Sequence, residues 1–123
     1  MLISLQEEDN RPLYQQIVNQ IKDQVNRELL QPGDELPSVR ELAESLSVNM
    51  HTVRRAYLEL RDQGIISLRL GRRAKIVRQP HTAPTQDTGD AIRGRFSELV
   101  TDAALAGFSA EEIRQIIEDC LKR

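Results

Sequence analysis

Residues 37–64 read Pro-Ser-Val-Arg-Glu-Leu-Ala-Glu-Ser-Leu-Ser-Val-Asn-Met-His-Thr-Val-Arg-Arg-Ala-Tyr-Leu-Glu-Leu-Arg-Asp-Gln-Gly. Ser38 followed by Glu41 is a capping box, so a helix is predicted over 39–46. Val39, Leu42, Ala43 and Leu46 form its apolar face. Ser47-Val48 is a tight turn, Asn49 caps a second helix over 50–63, and Gly64 stops it. The second helix starts on small polar groups and continues into arginines. That is the pattern of a helix-turn-helix, whose second helix lies in a DNA major groove.

A rotation of about 100° per residue sorts that second helix into faces. Val53, Ala56, Tyr57 and Leu60 fall on one side and are predicted core. Asn49, Met50, His51, Thr52 and Arg54 lie at the exposed start or on the flanks. They are the candidates for reading bases. Arginine forks onto the acceptors of guanine, and asparagine pairs with adenine. Arg55 is placed for a phosphate. Ser38 and Arg40 stand at the start of the preceding helix, where amide groups favour a phosphate.

Working outward, residues 2–6 predict a short edge strand, and Asn10-Arg11-Pro12 opens a helix over 12–30. Leu13, Ile17, Ile21, Val25 and Leu29 make its stripe, widened by Val18. Gln31-Pro32-Gly33-Asp34 turns the chain. Beyond Gly64, residues 65–70 and 74–78 predict two strands around a turn at Gly71-Arg72-Arg73. A hairpin with a basic tip after a helix-turn-helix is a wing. Residues 79–90 have linker composition. In the tail, Ile92, Phe96, Leu99, Val100 and Ala103 share one helical face, and Gly107 breaks the run. Ser109 with Glu112 is another capping box, followed by the stripe Ile113, Ile116, Ile117, Cys120 and Leu121. The expected fold is therefore mainly α with a small β-hairpin wing. A winged helix-turn-helix domain over 1–78 precedes a linker over 79–90 and a two-helix dimerisation tail over 91–123.

The net charge of −2 over 123 residues conceals a segregation. Residues 1–37 hold 3 basic against 7 acidic groups (−4), residues 38–78 hold 9 against 4 (+5), and residues 79–123 hold 5 against 8 (−3). The positive field sits on the helix-turn-helix and the hairpin, where phosphates are expected. With no Trp, 2 Tyr and 2 Phe, the core is aliphatic. No run of about 18 apolar residues predicts a membrane span. No signal peptide is visible and the single cysteine, Cys120, has no intrachain partner; both predict a cytoplasmic protein.

The chain resembles the GntR family of bacterial transcription regulators, in particular its short YtrA-like subfamily. The motifs that carry this are Pro12-Leu13-Tyr14-Gln15-Gln16-Ile17, Pro32-Gly33-Asp34-Glu35-Leu36-Pro37-Ser38-Val39-Arg40-Glu41-Leu42-Ala43, and Asn49-Met50-His51-Thr52-Val53-Arg54-Arg55-Ala56-Tyr57 with Leu60 and Gly64-Ile65-Ile66. The match runs over about residues 3–78, and residues 105–113 also look like the subfamily's C-terminal region. The resemblance implies a winged-helix DNA-binding domain, a homodimer joined through the tail, operator binding and, by default, repression. It implies DNA contacts at Arg40, Asn49, His51, Thr52, Arg54 and the wing at Gly71. The wing departs from the family pattern of Gly-x-Gly, hydroxyl, aromatic, valine. This chain has Gly71-Arg72-Arg73-Ala74-Lys75-Ile76-Val77, and the expectation becomes that Arg72 or Arg73 inserts into the minor groove.

The tail stripes are too apolar to stay in water. A two-fold dimer through 91–121, using Phe96, Leu99, Val100, Ala103, Ile113, Ile116, Ile117, Cys120 and Leu121, buries them on a near-palindromic site. Packing on the first helix within one chain is the alternative. An unidentified small-molecule effector between subunits, or a partner protein, are open sources of a signal. Enzyme chemistry finds no nucleophile–base pair, phosphate loop or paired carboxylates, so no catalytic residue and no cofactor are expected. Two rival functions remain. A winged-helix module can bind protein instead of DNA. A metal-responsive regulator would draw on His51, His81 and Cys120, which lack ligand spacing, so no metal site is expected.

Overall fold

Pro12 precedes the first helix, α1 (Leu13–Asn26), and its carbonyl accepts from the amides of Gln15 and Gln16. The computed structural model describes residues 3–6, 11–77 and 85–122. Ile17, Val18, Ile21 and Val25 are buried along α1. The helix ends sooner than its periodicity predicts. Glu28 takes a left-handed φ of 62°, which turns the chain. Leu29, expected on the stripe, is consequently 68% exposed, and Leu30 enters the core instead.

Residues 3–6 are not a strand. Two glutamines of α1 hold them against the helix. The buried Gln16 side chain accepts from the Gln6 amide at 2.9 Å and donates to the Gln6 carbonyl at 3.1 Å. Gln20 does the same with Ser4, at 2.9 and 2.6 Å. Each amide side chain thus pairs with one residue's backbone as a neighbouring strand would.

The second helix, α2 (Val39–Leu46), and the third, α3 (Met50–Asp62), follow the expected bounds closely. Ser47 joins them in left-handed geometry, φ 56°. Leu42 and Ala43 from α2 meet Val53, Ala56, Tyr57 and Leu60 from α3, and α3 also packs on α1. Each such aliphatic side chain withdrawn from water contributes about 1.5–3 kcal/mol.

The hairpin is shorter than expected. Strand β1 (Ile66–Ser67) pairs antiparallel with β2 (Lys75–Ile76), Ile66 opposite Ile76 and Ser67 opposite Lys75. Arg78, expected in the return strand, lies outside the described residues. The segment expected only as a turn adds a third ribbon. Gly33 donates to the Ile76 carbonyl, Ile76 to Asp34, and Leu36 to Ala74, with Glu35 bridged to Lys75. Leu36, Ile66 and Ile76 thereby close the core.

The chain divides into two compact units, Met1–Thr82 and Ala83–Arg123. The second contains α4 (Gln86–Leu105) and α5 (Ala110–Leu121). Residues 86–90, expected as linker, are helical. The Thr85 hydroxyl accepts from the Thr88 amide, and Asp87 lies at the positive end of the helix dipole. The rest of that linker, apart from Thr85, lies outside the described residues. Gly107, φ 100°, makes the bend between the helices.

The capping box of α5 is complete. Glu112 N–H donates to the Ser109 hydroxyl at 3.1 Å, and Ser109 N–H donates to the Glu112 carboxylate at 3.0 Å. The Ser109 backbone amide, aided by its hydroxyl, holds the Glu112 carboxyl below its ordinary value of 4.5. A depressed carboxyl value stabilises the fold above 4.5 and loses that contribution as pH falls through the lowered value. Glu112→Gln should therefore melt below the wild type at neutral pH, with the difference shrinking in acid. Circular dichroism melts from pH 7 to 2 check this, and a pH-independent difference contradicts it.

Candidate nucleic-acid interface

The candidate recognition surface starts at the turn before α3. The Asn49 side-chain oxygen accepts from the His51 amide at 2.7 Å and caps the helix. This uses one lone pair of the amide oxygen and leaves the other lone pair and the Asn49 amide N–H groups for an outside partner. One turn on, the faces separate as the periodicity predicts. Val53, Ala56, Tyr57 and Leu60 are buried, while Met50, His51, Arg54 and Arg55 are exposed and Thr52 is half-buried. The side chains of Arg40, Arg54 and Arg72 make no hydrogen bond or ion pair among the described residues. Their guanidinium groups remain available to an outside anion.

Arg55 is held differently. Its guanidinium carbon lies 3.8 Å from the centroid of the Tyr14 ring, and its Nη2 donates to the Tyr14 hydroxyl at 3.2 Å. Stacking and a hydrogen bond restrict the rotamers of a long side chain. Tyr14 was not singled out from the sequence, because the two residues are 41 positions apart.

The start of α2 is fixed from below. The Ser38 hydroxyl accepts from the Glu41 amide at 3.1 Å. The Tyr57 hydroxyl, on a side chain only 1% exposed, donates to the Pro37 carbonyl at 2.7 Å. Burial pushes the Tyr57 phenol well above its ordinary value, and the nearby Glu41 charge adds to this. Tyr57 therefore ties the recognition helix to the cap of its neighbour.

The wing tip is one residue earlier than expected. Arg72 N–H donates to the Arg69 carbonyl at 3.1 Å, closing a turn with Leu70 and Gly71 at its centre. Gly71 has φ 75°, a geometry in which glycine is at ease. Leu70, expected in the strand, is fully exposed at the tip. Arg72 is exposed beside it. Of the two arginines expected to offer a minor-groove contact, Arg73 turns back to α2. Its Nη2 donates to the Glu41 carboxylate of α2 at 2.7 Å. Ser38 and Arg73 together hold the Glu41 carboxyl below its ordinary range. A groove between wing and α2 is lined by Ser38, Val39, Gly71, Arg72, Arg73 and Ala74.

In the second unit no residue of α4 or α5 is buried. Phe96 is 50% exposed, Leu99 63% and Leu121 73%, with Val100, Ile116, Ile117 and Cys120 also exposed. Ala103 and Ile113 are half-buried. No cluster of His, Cys, Asp or Glu able to hold a metal occurs among the described residues, and His81 lies outside them. No helix among the described residues is long and apolar enough to cross a membrane.

Three packed helices, a third helix whose polar start faces outward, and an arginine-bearing β-ribbon define a winged helix-turn-helix DNA-binding protein. Residues 13–76 match the family described as bacterial regulatory proteins, gntR family. The chain is 34% identical over 118 residues to the HTH-type transcriptional repressor YtrA of Bacillus subtilis (strain 168), covering 96% of this chain and 91% of that one. The chain belongs to the GntR family of transcription regulators, in its YtrA-like branch, and is not an enzyme.

Solved structures agree. A transcriptional antiterminator from Listeria monocytogenes EGD-e has a TM-score of 0.86 at 30% identity, covering 97% of this chain and 89% of that one. YtrA from Sulfolobus acidocaldarius, a GntR-family transcription factor, has a TM-score of 0.58 at 33% identity, covering 98% and 97%. The AraR DNA-binding domain in complex with operator ORE1 has a TM-score of 0.53 at 26% identity, covering 63% and 94%.

Proposed function

We propose that this regulator is a repressor that binds a near-palindromic operator as a homodimer in the cytoplasm, with α3 of each subunit in the major groove. The observation that carries this is the division of α3. One face is sealed into the core by Val53, Ala56, Tyr57 and Leu60, and the exposed start and flank present Met50, His51 and an Arg54 whose side chain has no partner among the described residues, from a capped N-terminus. Arg54, Met50, His51 and Thr52 read base edges, and Asn49 caps the helix while donating its amide to the DNA. Arg55, braced on Tyr14, and Arg40, beside the first amides of α2, take phosphates. Gly71 and Arg72 bring the wing to the backbone or minor groove.

Repression is supported by the repressor YtrA, with which the chain aligns over 96% of its length. Operator binding is supported by the AraR domain, solved on its operator. Dimerisation is supported by the uncovered apolar faces of α4 and α5. The test is a binding titration on operator DNA, wild type against Arg54→Ala: loss of sequence preference in the variant supports the reading, and an unchanged preference contradicts it.

A further inference from the structure

The wing of this chain carries three cations within four residues, Arg72, Arg73 and Lys75, where a glycine-rich tip was the family expectation. The side chains do not all point the same way. Arg73 reaches 32 residues back along the sequence to place its Nη2 2.7 Å from Glu41. Both side chains are about half-exposed, at 47% and 51%, so water and salt weaken the pair and it adds little to folding. Its position matters more than its strength. Glu41 sits in the first turn of α2, one residue after Arg40 and three after the Ser38 cap. A bare carboxylate there repels the phosphates that Arg40 and the α2 amides attract. Arg73 cancels that charge and, as the last residue of the tip before the buried Ala74, fixes the wing beside α2.

We infer that Arg73 is a positioning residue that neutralises Glu41 and anchors the wing, and that it makes no contact with DNA itself. The inference rests on the DNA-binding function proposed above. It assigns the outward wing contacts to Arg72 and the tip, and it makes Glu41 and Arg73 one functional unit.

The test is a double-mutant cycle on the full chain, using a duplex enriched from a random-sequence pool by the wild type. Arg73→Gln should weaken binding roughly threefold to fivefold, the scale of a rim charge. Arg73→Lys, which keeps the charge, should stay within about twofold of wild type. In a Glu41→Gln background, where no carboxylate is left to neutralise, Arg73→Gln should change affinity by less than about twofold. A loss as large in that background as in the wild type shows a direct DNA contact and overturns the inference. Failure to enrich any duplex overturns the DNA-binding function and the inference with it.

Discussion

A chain ending at residue 84 binds its operator about 10²–10⁴-fold more weakly than the full chain and sediments as a monomer, if α4 and α5 hold two copies together. The expectation follows from where apolar surface lies. The described core is built wholly from residues between Ile17 and Ile76, so the first unit keeps its own interior without the tail. In the tail the position is reversed. Ile92, Phe96, Leu99, Val100, Ile116, Ile117 and Leu121 are all exposed, and no residue of either helix is buried. So many exposed large apolar side chains on two helices are the composition of an interface. In the proposed dimer a second copy would supply a matching face by two-fold symmetry and present two α3 helices to two half-sites. Loss of the tail leaves each half-site to be bound alone, without the local concentration that linkage provides. Leu99→Asp with Ile117→Asp in the full chain should act in the same direction, since both residues lose only exposed apolar surface in one copy. Analytical ultracentrifugation and a binding titration decide it. A truncated chain that remains dimeric, or keeps full affinity, contradicts it.

Tyr57→Ala should destabilise the first unit by about 3–5 kcal/mol, enough to unfold a marginal small domain. Tyr57 is the largest fully buried side chain and lies where α3 meets α2. Removing its ring opens a cavity between elements that cannot collapse without moving the recognition helix. The hydroxyl adds a separable part. Tyr57→Phe keeps the ring and loses the bond to Pro37, at a cost of about 1 kcal/mol. The two variants differ in function as well as size. Tyr57→Phe loosens the start of α2, where Ser38 and Arg40 stand, and should weaken DNA binding by more than its small effect on melting suggests. Urea melts with a binding titration check this. Tyr57→Ala melting within about 1 kcal/mol of wild type contradicts the packing on which it depends.

The helix-turn-helix was legible because its signals are local. Ser38 and Asn49 cap their helices within three residues, and the core face of α3 follows from a period of 3.6. What escaped the sequence was of two kinds. Backbone geometry at single residues moved boundaries. The left-handed turn at Glu28 exposes Leu29 and buries Leu30, and the turn closed between Arg69 and Arg72 puts Leu70 at the wing tip. Glu28 carries no turn signature to reveal this. The second kind is long-range pairing. Arg55 finds Tyr14 across 41 residues, and Arg73 finds Glu41 across 32. No spacing rule reports such partners, so the bracing of Arg55 and Arg73 by the protein was not legible in the sequence. The start of α4 was obscured by composition, since Gly89 suits a linker better than a helix, and the Thr85 cap prevails.

The central claim is that α3 reads sequence through Arg54. Fluorescence anisotropy of the full chain, on DNA from just upstream of its own gene with scrambled competitor, tests it most directly when wild type is compared with Arg54→Ala at one salt concentration. The wild type should prefer the upstream duplex, and Arg54→Ala should lose about 1–3 kcal/mol of that preference, roughly 5- to 150-fold. Equal binding of both duplexes by the wild type, with no change on mutation, contradicts it.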